Sequence, residues 1–404
     1  MNDREILREL ARQVRELADR PEMAARRQLW LRHNALQDSQ PLIICSPEGA
    51  WSEILPESAL KCVDKECRRW EHALRMQIHT ATQLQDDSVI EPFFSIGWNI
   101  KRGNYGVDVP YTYGEHRGSY VWDPPLKNLD RDLERLHFRS LQVDRDATQR
   151  KLERAQETLG DILPVRLRWQ PWWTLGLTKD AATLVGLEEL MLLMYDNPAG
   201  LHRLMGFLRD EMLHFIGWFE SEGLLTPNNA ADYCGSGGLG FTDELQPAAI
   251  ATRLRDTWGF AESQETVGVS PQMFEEFILP YQLPLLDKFG LAYYGCCEGL
   301  EHRLDYVLEH VKNLRRVSVA PKADQETIAR KLQGRYVYCR KVDPVPVCVD
   351  FNEADIRADI RRTLQFAKDQ PLEFILKDTK TVQHEPARLA RWVQIAREEI
   401  QRAA

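Results

Sequence analysis

Leu291-Ala292-Tyr293-Tyr294-Gly295-Cys296-Cys297, Arg316-Val317-Ser318-Val319-Ala320, Tyr336-Val337-Tyr338-Cys339-Arg340 and Glu373-Phe374-Ile375-Leu376-Lys377 are short apolar runs separated by longer stretches of helical spacing. Helices are expected near 271–289, 300–312, 323–333, 352–369 and 385–402. Strands that alternate with helices imply parallel βα units, since parallel neighbours need a long crossover and a helix supplies it. Working back toward the N-terminus, Pro41-Leu42-Ile43-Ile44-Cys45, Pro92-Phe93-Phe94-Ser95-Ile96-Gly97, Pro164-Val165-Arg166-Leu167-Arg168-Trp169 and Ala230-Ala231-Asp232-Tyr233-Cys234 read as four earlier strands. Eight such units predict an α/β fold, a closed (β/α)8 TIM barrel.

The remaining organisation follows from composition along the chain. Residues 4–36 read as amphipathic helix, with Ile6, Leu7, Leu10, Val14 and Leu17 at helical spacing among charges. The expected division is an N-terminal helical extension over 1–40 and a single barrel domain over 41–404. An insertion after the second strand, about 99–160, is rich in Tyr, Pro and charge. The apolar stripe of the first helix needs a cover, either a second copy in a homodimer or the barrel of its own chain.

Bulk properties exclude several classes. The 404 residues are 43% hydrophobic, enough for a large core, and the formal charge is -9 with acids and bases intermixed. A nucleic-acid surface needs a basic face, so none is expected. No apolar run approaches the roughly 18 residues of a membrane span, and the charged start Asn2-Asp3-Arg4-Glu5 is unlike a signal peptide. The 8 cysteines are scattered through a long chain, which fits a reducing, cytoplasmic setting better than a disulfide framework.

A barrel of this kind carries its active site at the C-terminal ends of its strands. Cys45 and Glu48 follow the first run, Trp98 the second, and Trp169, Trp172 and Trp173 the third. Asp232, Tyr233 and Cys234 lead into Gly235-Ser236-Gly237-Gly238, Cys296-Cys297-Glu298 ends the fifth run, and Cys339-Arg340 and Lys377-Asp378 end the seventh and eighth. Adjacent thiols and carboxylates can serve a metal such as Zn²⁺, so Cys296, Cys297 and Asp378 are candidate ligands. Neighbouring strand residues face opposite ways, so both thiols reach one ion only where the strand has ended; otherwise one packs as a small hydrophobe. Asp378, Lys377, Glu298 and Asp232 are the candidate acid/base groups, though Lys377-Asp378 also reads as a plain ion pair. Trp98, Trp169, Trp173, Tyr233 and Arg340 are candidates for holding a small, flat substrate, with some of the tryptophans expected in the core.

Gly186-Leu187-Glu188-Glu189-Leu190-Met191 followed by Tyr195-Asp196-Asn197-Pro198, and Ser270-Pro271-Gln272-Met273-Phe274-Glu275-Glu276-Phe277 ending at Pro280-Tyr281, resemble motifs of the uroporphyrinogen decarboxylase-like superfamily. The resemblance covers roughly 160–400. The decarboxylase's own Met-Arg-Gln-Ala-Gly-Arg signature has no counterpart near Pro41–Cys45, which places the chain closer to the cobalamin-dependent methyltransferases. Those relatives hold zinc through His-x-Cys after the fifth strand and a Cys after the eighth. Here Gly295 stands opposite the His, Cys297 opposite the Cys, and Asp378 where the last Cys is expected.

The resemblance therefore implies a methyltransferase moving a methyl group from a small methylated substrate, aromatic ones included, to a corrinoid on a partner protein, with zinc assistance. The competing readings are a decarboxylase or lyase using Asp378 and Arg340 on a carboxylated substrate, and a barrel that binds a corrinoid or tetrapyrrole without catalysis.

Overall fold

The computed structural model describes residues 2–37, 40–114, 120–246 and 251–403. Eight strands are parallel: β1 (Leu42–Cys45), β2 (Phe94–Ile96), β3 (Val165–Leu167), β4 (Trp258–Ala261), β5 (Leu291–Tyr294), β6 (Leu314–Val319), β7 (Val337–Lys341) and β8 (Leu372–Leu376). Six of them form one sheet in the order β1-β8-β7-β6-β5-β4, so the last strand of the chain lies beside the first. β2 and β3 form a separate parallel pair. Helices follow most strands, giving a mixed α/β architecture. The central strands are buried on both faces, which is why they read as continuous apolar runs.

Alternate residues of each strand enter different clusters. Leu42, Ile44, Phe94, Ile96, Phe260, Tyr293, Cys339 and Ile375 pack together on the inner face. Ile43, Cys45, Ala261, Ala292, Tyr294, Val317, Tyr338 and Phe374 pack on the outer face against the helices. This is the two-residue side-chain period of a strand, and it decides what each strand end can present.

Among the described residues no backbone ladder joins the six-stranded sheet to the pair, and side chains occupy the free edges instead. On β1 the N–H groups of Ile43 and Cys45 donate to the carboxylates of Asp87 and Asp86, each at 2.8 Å. On β4 the Asn228 side chain accepts from the Trp258 N–H at 2.8 Å and donates to its carbonyl at 3.1 Å. Buried edge groups are thus satisfied without a neighbouring strand.

Two differences from the sequence reading have local causes. Residues 230–234 are not a strand: Tyr233 bridges Leu239 in an antiparallel contact, and the chain turns through the Gly-rich segment. The strand that was missed, β4, is only four residues long and carries Gly259, a poor strand former that the Phe289 ring covers closely. The expected single helix over 4–36 is two, α1 (Asp3–Ala18) and α2 (Pro21–Asn34), because Pro21 lacks an N–H to continue the first and starts the second. The stripe of α1 packs on the helix Lys65–His79 of the same chain. The 99–160 segment carries two small antiparallel ribbons, Ile100–Arg102 with Leu141–Val143 and Tyr111–Tyr113 with Tyr120–Trp122; residues 115–119 lie outside the described ones.

The C-terminal end of α2 closes on the N-terminal side of the inner face. Asn34 donates to the carbonyls of Leu239 and Phe241, both at 2.8 Å, and accepts from the Arg316 guanidinium at 2.6 Å. Arg316 pairs with Glu373 at 3.1 Å, and His33 stands 3.3 Å from the same carboxylate, all fully buried. Asn34→Leu keeps the volume but takes one donor from the Leu239 carbonyl, which keeps Arg316, and leaves the Phe241 carbonyl and part of a buried guanidinium unpaired. The expected loss is about 2–4 kcal/mol of stability, given roughly 1–3 kcal/mol per orphaned buried group. Urea unfolding checks it, and a change under about 0.5 kcal/mol contradicts this account of the network.

Candidate functional site

Strand β5 stops at Tyr294, and Gly295 turns the chain with φ +93°. A side chain there would meet Leu300 Cδ1 at 2.5 Å and strain the backbone, so the position favours glycine over the histidine that the sequence resemblance leads one to expect. Cys296 and Cys297 lie in the bend that follows, where facing no longer alternates, and their sulfurs stand 3.5 Å apart. Cys296 is buried and Cys297 exposed.

A second element reaches the same sulfur. The Gly-rich loop inserts into the inner face, and at Gly237, with φ +144°, a Cβ would fall 2.7 Å from both Ile375 Cγ2 and Lys341 Nζ. The close fit delivers the fully buried Ser236, whose hydroxyl donates to Cys296 Sγ at 3.2 Å. The Lys341 ammonium holds the loop by donating to the Ser236 carbonyl, and it also reaches Cys339 Sγ at 3.2 Å. From β8, Lys377 places its ammonium 4.0 Å from Cys296 Sγ and 3.7 Å from Asp378 Oδ2. Asp378 lies 3.8 Å from Cys297 Sγ, and its own N–H donates to Glu48 at 2.8 Å.

These neighbours separate the two thiols electrostatically. The hydrogen bond from Cys297 does most to lower the Cys296 thiol, to about 7; Lys377, Ser236 and Lys341 add to it and together they outweigh burial. The same hydrogen bond, then burial and Asp378, push Cys297 far above the ordinary thiol range. Burial works to lower the Lys377 ammonium, but Cys296, Asp378 and Glu48 raise it on balance, so it stays charged. The result is a Cys296 sulfur whose thiolate is favoured by a fixed cation beside it at the mouth of the sheet. By contrast, burial holds Cys339 up at about 12 and Cys348 at about 11, and raises Cys45 and Cys234 as well.

The other residues singled out from sequence fall in several places. Trp173 packs on Phe260 and donates to the Gly235 carbonyl at 3.2 Å, and Tyr233 directs its hydroxyl to the Ser236 carbonyl at 3.4 Å; both remain over a third exposed at the mouth. Trp98 and Trp169 pack instead on the outer core, under Arg145 and Arg102 respectively. Glu298 turns away from the sulfurs and braces the bend, accepting from the N–H groups of Ser263 and Cys296 at 2.8 Å. Asp232 is taken by Arg168 in a two-pronged ion pair. Arg340 points into the helix layer, donating to the Ala320 carbonyl and pairing with Asp359 at 2.8 Å. Its neighbour Lys341 is the strand-end cation that faces inward. Counting the two-residue period from Cys339 finds it, whereas nothing in the sequence marks Ser236.

The donors do not suit a zinc ion. No three His, Cys, Asp or Glu side chains among the described residues converge to hold a metal, and a lysine ammonium already stands beside both Cys296 and Asp378. Among the described residues no helix is long and apolar enough to cross a membrane.

No family model matches the chain, and no curated protein does. A methyltransferase from Methanosarcina mazei has a similar structure, with a TM-score of 0.51, 93% of this chain and 98% of that chain covered, and 11% identity. At that identity the likeness concerns the fold.

Alkylation of Cys296 by iodoacetamide, followed by peptide mapping, is expected to rise through a midpoint near 7, since only the thiolate reacts and it dominates above that pH. Lys377→Met removes a cation that favours the thiolate, so the profile moves to higher pH and the rate at neutral pH falls about threefold to tenfold. An unshifted profile contradicts the role given to Lys377.

Proposed function

We propose that this chain is a methyl-transferring enzyme on the methyltransferase side of the uroporphyrinogen decarboxylase-like superfamily, built as a closed eight-stranded barrel. It takes the methyl group of a small, flat O-, N- or S-methylated substrate and passes it to a corrinoid presented by a partner protein. The observation that carries this reading is the Lys377 ammonium, fixed between the buried Cys296 sulfur and Asp378 at the C-terminal ends of the strands. The likeness in fold to the methyltransferase, over nearly the whole of both chains, supports it. The barrel reading rests on the wrapped strand order and on the inner cluster, which draws residues from both sheets.

A methyl group leaves its heteroatom more readily when charge developing on that atom is neutralised. In the zinc-dependent relatives a metal does this as a Lewis acid. Here the donor set does not fit a metal, and no step is routed through one; Lys377 supplies the positive charge and the proton instead. As the C–X bond breaks, the electron pair stays on the heteroatom and the lysine proton moves to it. Asp378, exposed beside Lys377, returns a proton from solvent. Trp173 and Tyr233, both over a third exposed, supply aromatic faces for a flat substrate, with Phe260 and Tyr293 packed behind Trp173. The corrinoid supplies the methyl-accepting centre, and the exposed edge of Cys297, Asp378, Tyr233 and Trp173 is where it would approach. The lyase alternative relies on Arg340, whose guanidinium is committed to the helix layer.

Mixing the purified chain with free cob(I)alamin and a panel of methoxyaromatics, methylamines and methyl thioethers should give the absorbance of methylcobalamin with at least one donor. Lys377→Met should lower kcat about 100-fold with KM little changed, as expected for a proton donor acting in the transition state. No methyl transfer with any donor, and none in reverse from methylcobalamin to phenol, amine or thiol acceptors, overturns the proposal.

A further inference from the structure

We propose that Cys296 and Cys297 form a reversible modification site, closing to a vicinal disulfide when a hydroperoxide enters the mouth of the sheet. The geometry is unlike that of any other thiol among the described residues. The two sulfurs are already 3.5 Å apart in a bend beyond the end of β5, so closure twists only the peptide that joins them, giving a strained and readily reduced bond without movement of the sheet. The Ser236 hydroxyl at 3.2 Å and the Lys377 ammonium at 4.0 Å stand beside the Cys296 sulfur and favour its thiolate. Cys297 is the exposed member of the pair, and the other six cysteines are buried.

The chemistry runs in two balanced steps. The Cys296 thiolate attacks the outer oxygen of ROOH; the O–O bond breaks, its electron pair leaves with RO⁻, which is protonated to ROH, and Cys296 becomes a sulfenic acid. The Cys297 sulfur then attacks the sulfenic sulfur, an S–S bond forms, and the S–OH bond breaks to release water with the Cys297 proton. The thiols have lost two electrons and the peroxide has gained them. A dithiol reductant reverses the change by exchange through the exposed Cys297 sulfur. Closure deletes the thiolate that faces Lys377, so the oxidised chain has a different charge at its mouth. This inference rests on the thiol geometry and does not depend on the methyl-transfer reading.

The test uses the full-length chain, hydrogen peroxide, an N-ethylmaleimide quench and mass spectrometry of the peptide containing residues 296 and 297. The expected product lacks two hydrogens relative to the reduced peptide, takes up no maleimide, and returns to the reduced mass with dithiothreitol. In Cys297→Ser the resolving thiol is gone, so Cys296 should instead collect oxygen atoms as sulfinic acid. A wild-type peptide that stays reduced, that oxidises to sulfinic acid without closing, or that links to any other cysteine overturns the proposal. The readout is a mass, so it is decided separately from any assay of methyl transfer.

Discussion

The fully buried Arg316 guanidinium is the constraint around which the rest of the molecule is arranged. A charge with no access to water must be paired and hydrogen-bonded, or the chain cannot fold with it inside. Glu373 comes from β8, Asn34 from the end of α2, and the Leu239 carbonyl from the loop that precedes β4. One side chain on β6 therefore ties together the end of α2, the last strand of the chain and the Gly-rich loop. Two further inward cations, Lys341 and Lys377, lie toward the opposite end, where the loop and the thiol pair meet them.

Position at the site follows from that anchoring. Because the loop is held at Leu239 by Arg316 and at Ser236 by Lys341, the serine hydroxyl reaches Cys296 from inside the sheet. The bend after β5 contributes two sulfurs of opposite character, one lowered by its neighbours and one raised. A buried sulfur, an ammonium and a carboxylate then share a few ångströms at the strand ends, with aromatic rings beside them.

Much of the wall was readable in the sequence because parallel strands buried on both faces appear as unbroken apolar runs, as at Leu314–Val319 and Leu372–Leu376. β4 escaped because Gly259 interrupts a four-residue strand, and 230–234 misled because Tyr233 and Cys234 have strand-like side chains in a turn. At the site, Cys296, Cys297, Lys377 and Asp378 were legible from their place at strand ends. Glu298 and Arg340 have the right chemistry at the right sequence positions, yet hydrogen bonding and side-chain parity turn them elsewhere. Ser236 depends on how a glycine-rich loop folds into an interior, which no local pattern encodes.

The edge groups at Asp86, Asp87 and Asn228 have a mechanical meaning. A ladder of backbone hydrogen bonds is indifferent to sequence, so its stiffness survives substitution. Where side chains take its place, the pairing of those edge groups becomes a heritable variable of three positions. Replacing Asp86 or Asp87 unpairs one strand-edge N–H and replacing Asn228 unpairs an N–H and a carbonyl, whereas a replacement inside the six-stranded sheet leaves its backbone ladder intact. Single replacements at these positions can therefore strengthen or weaken the two free edges of the sheet, leaving the strands themselves untouched.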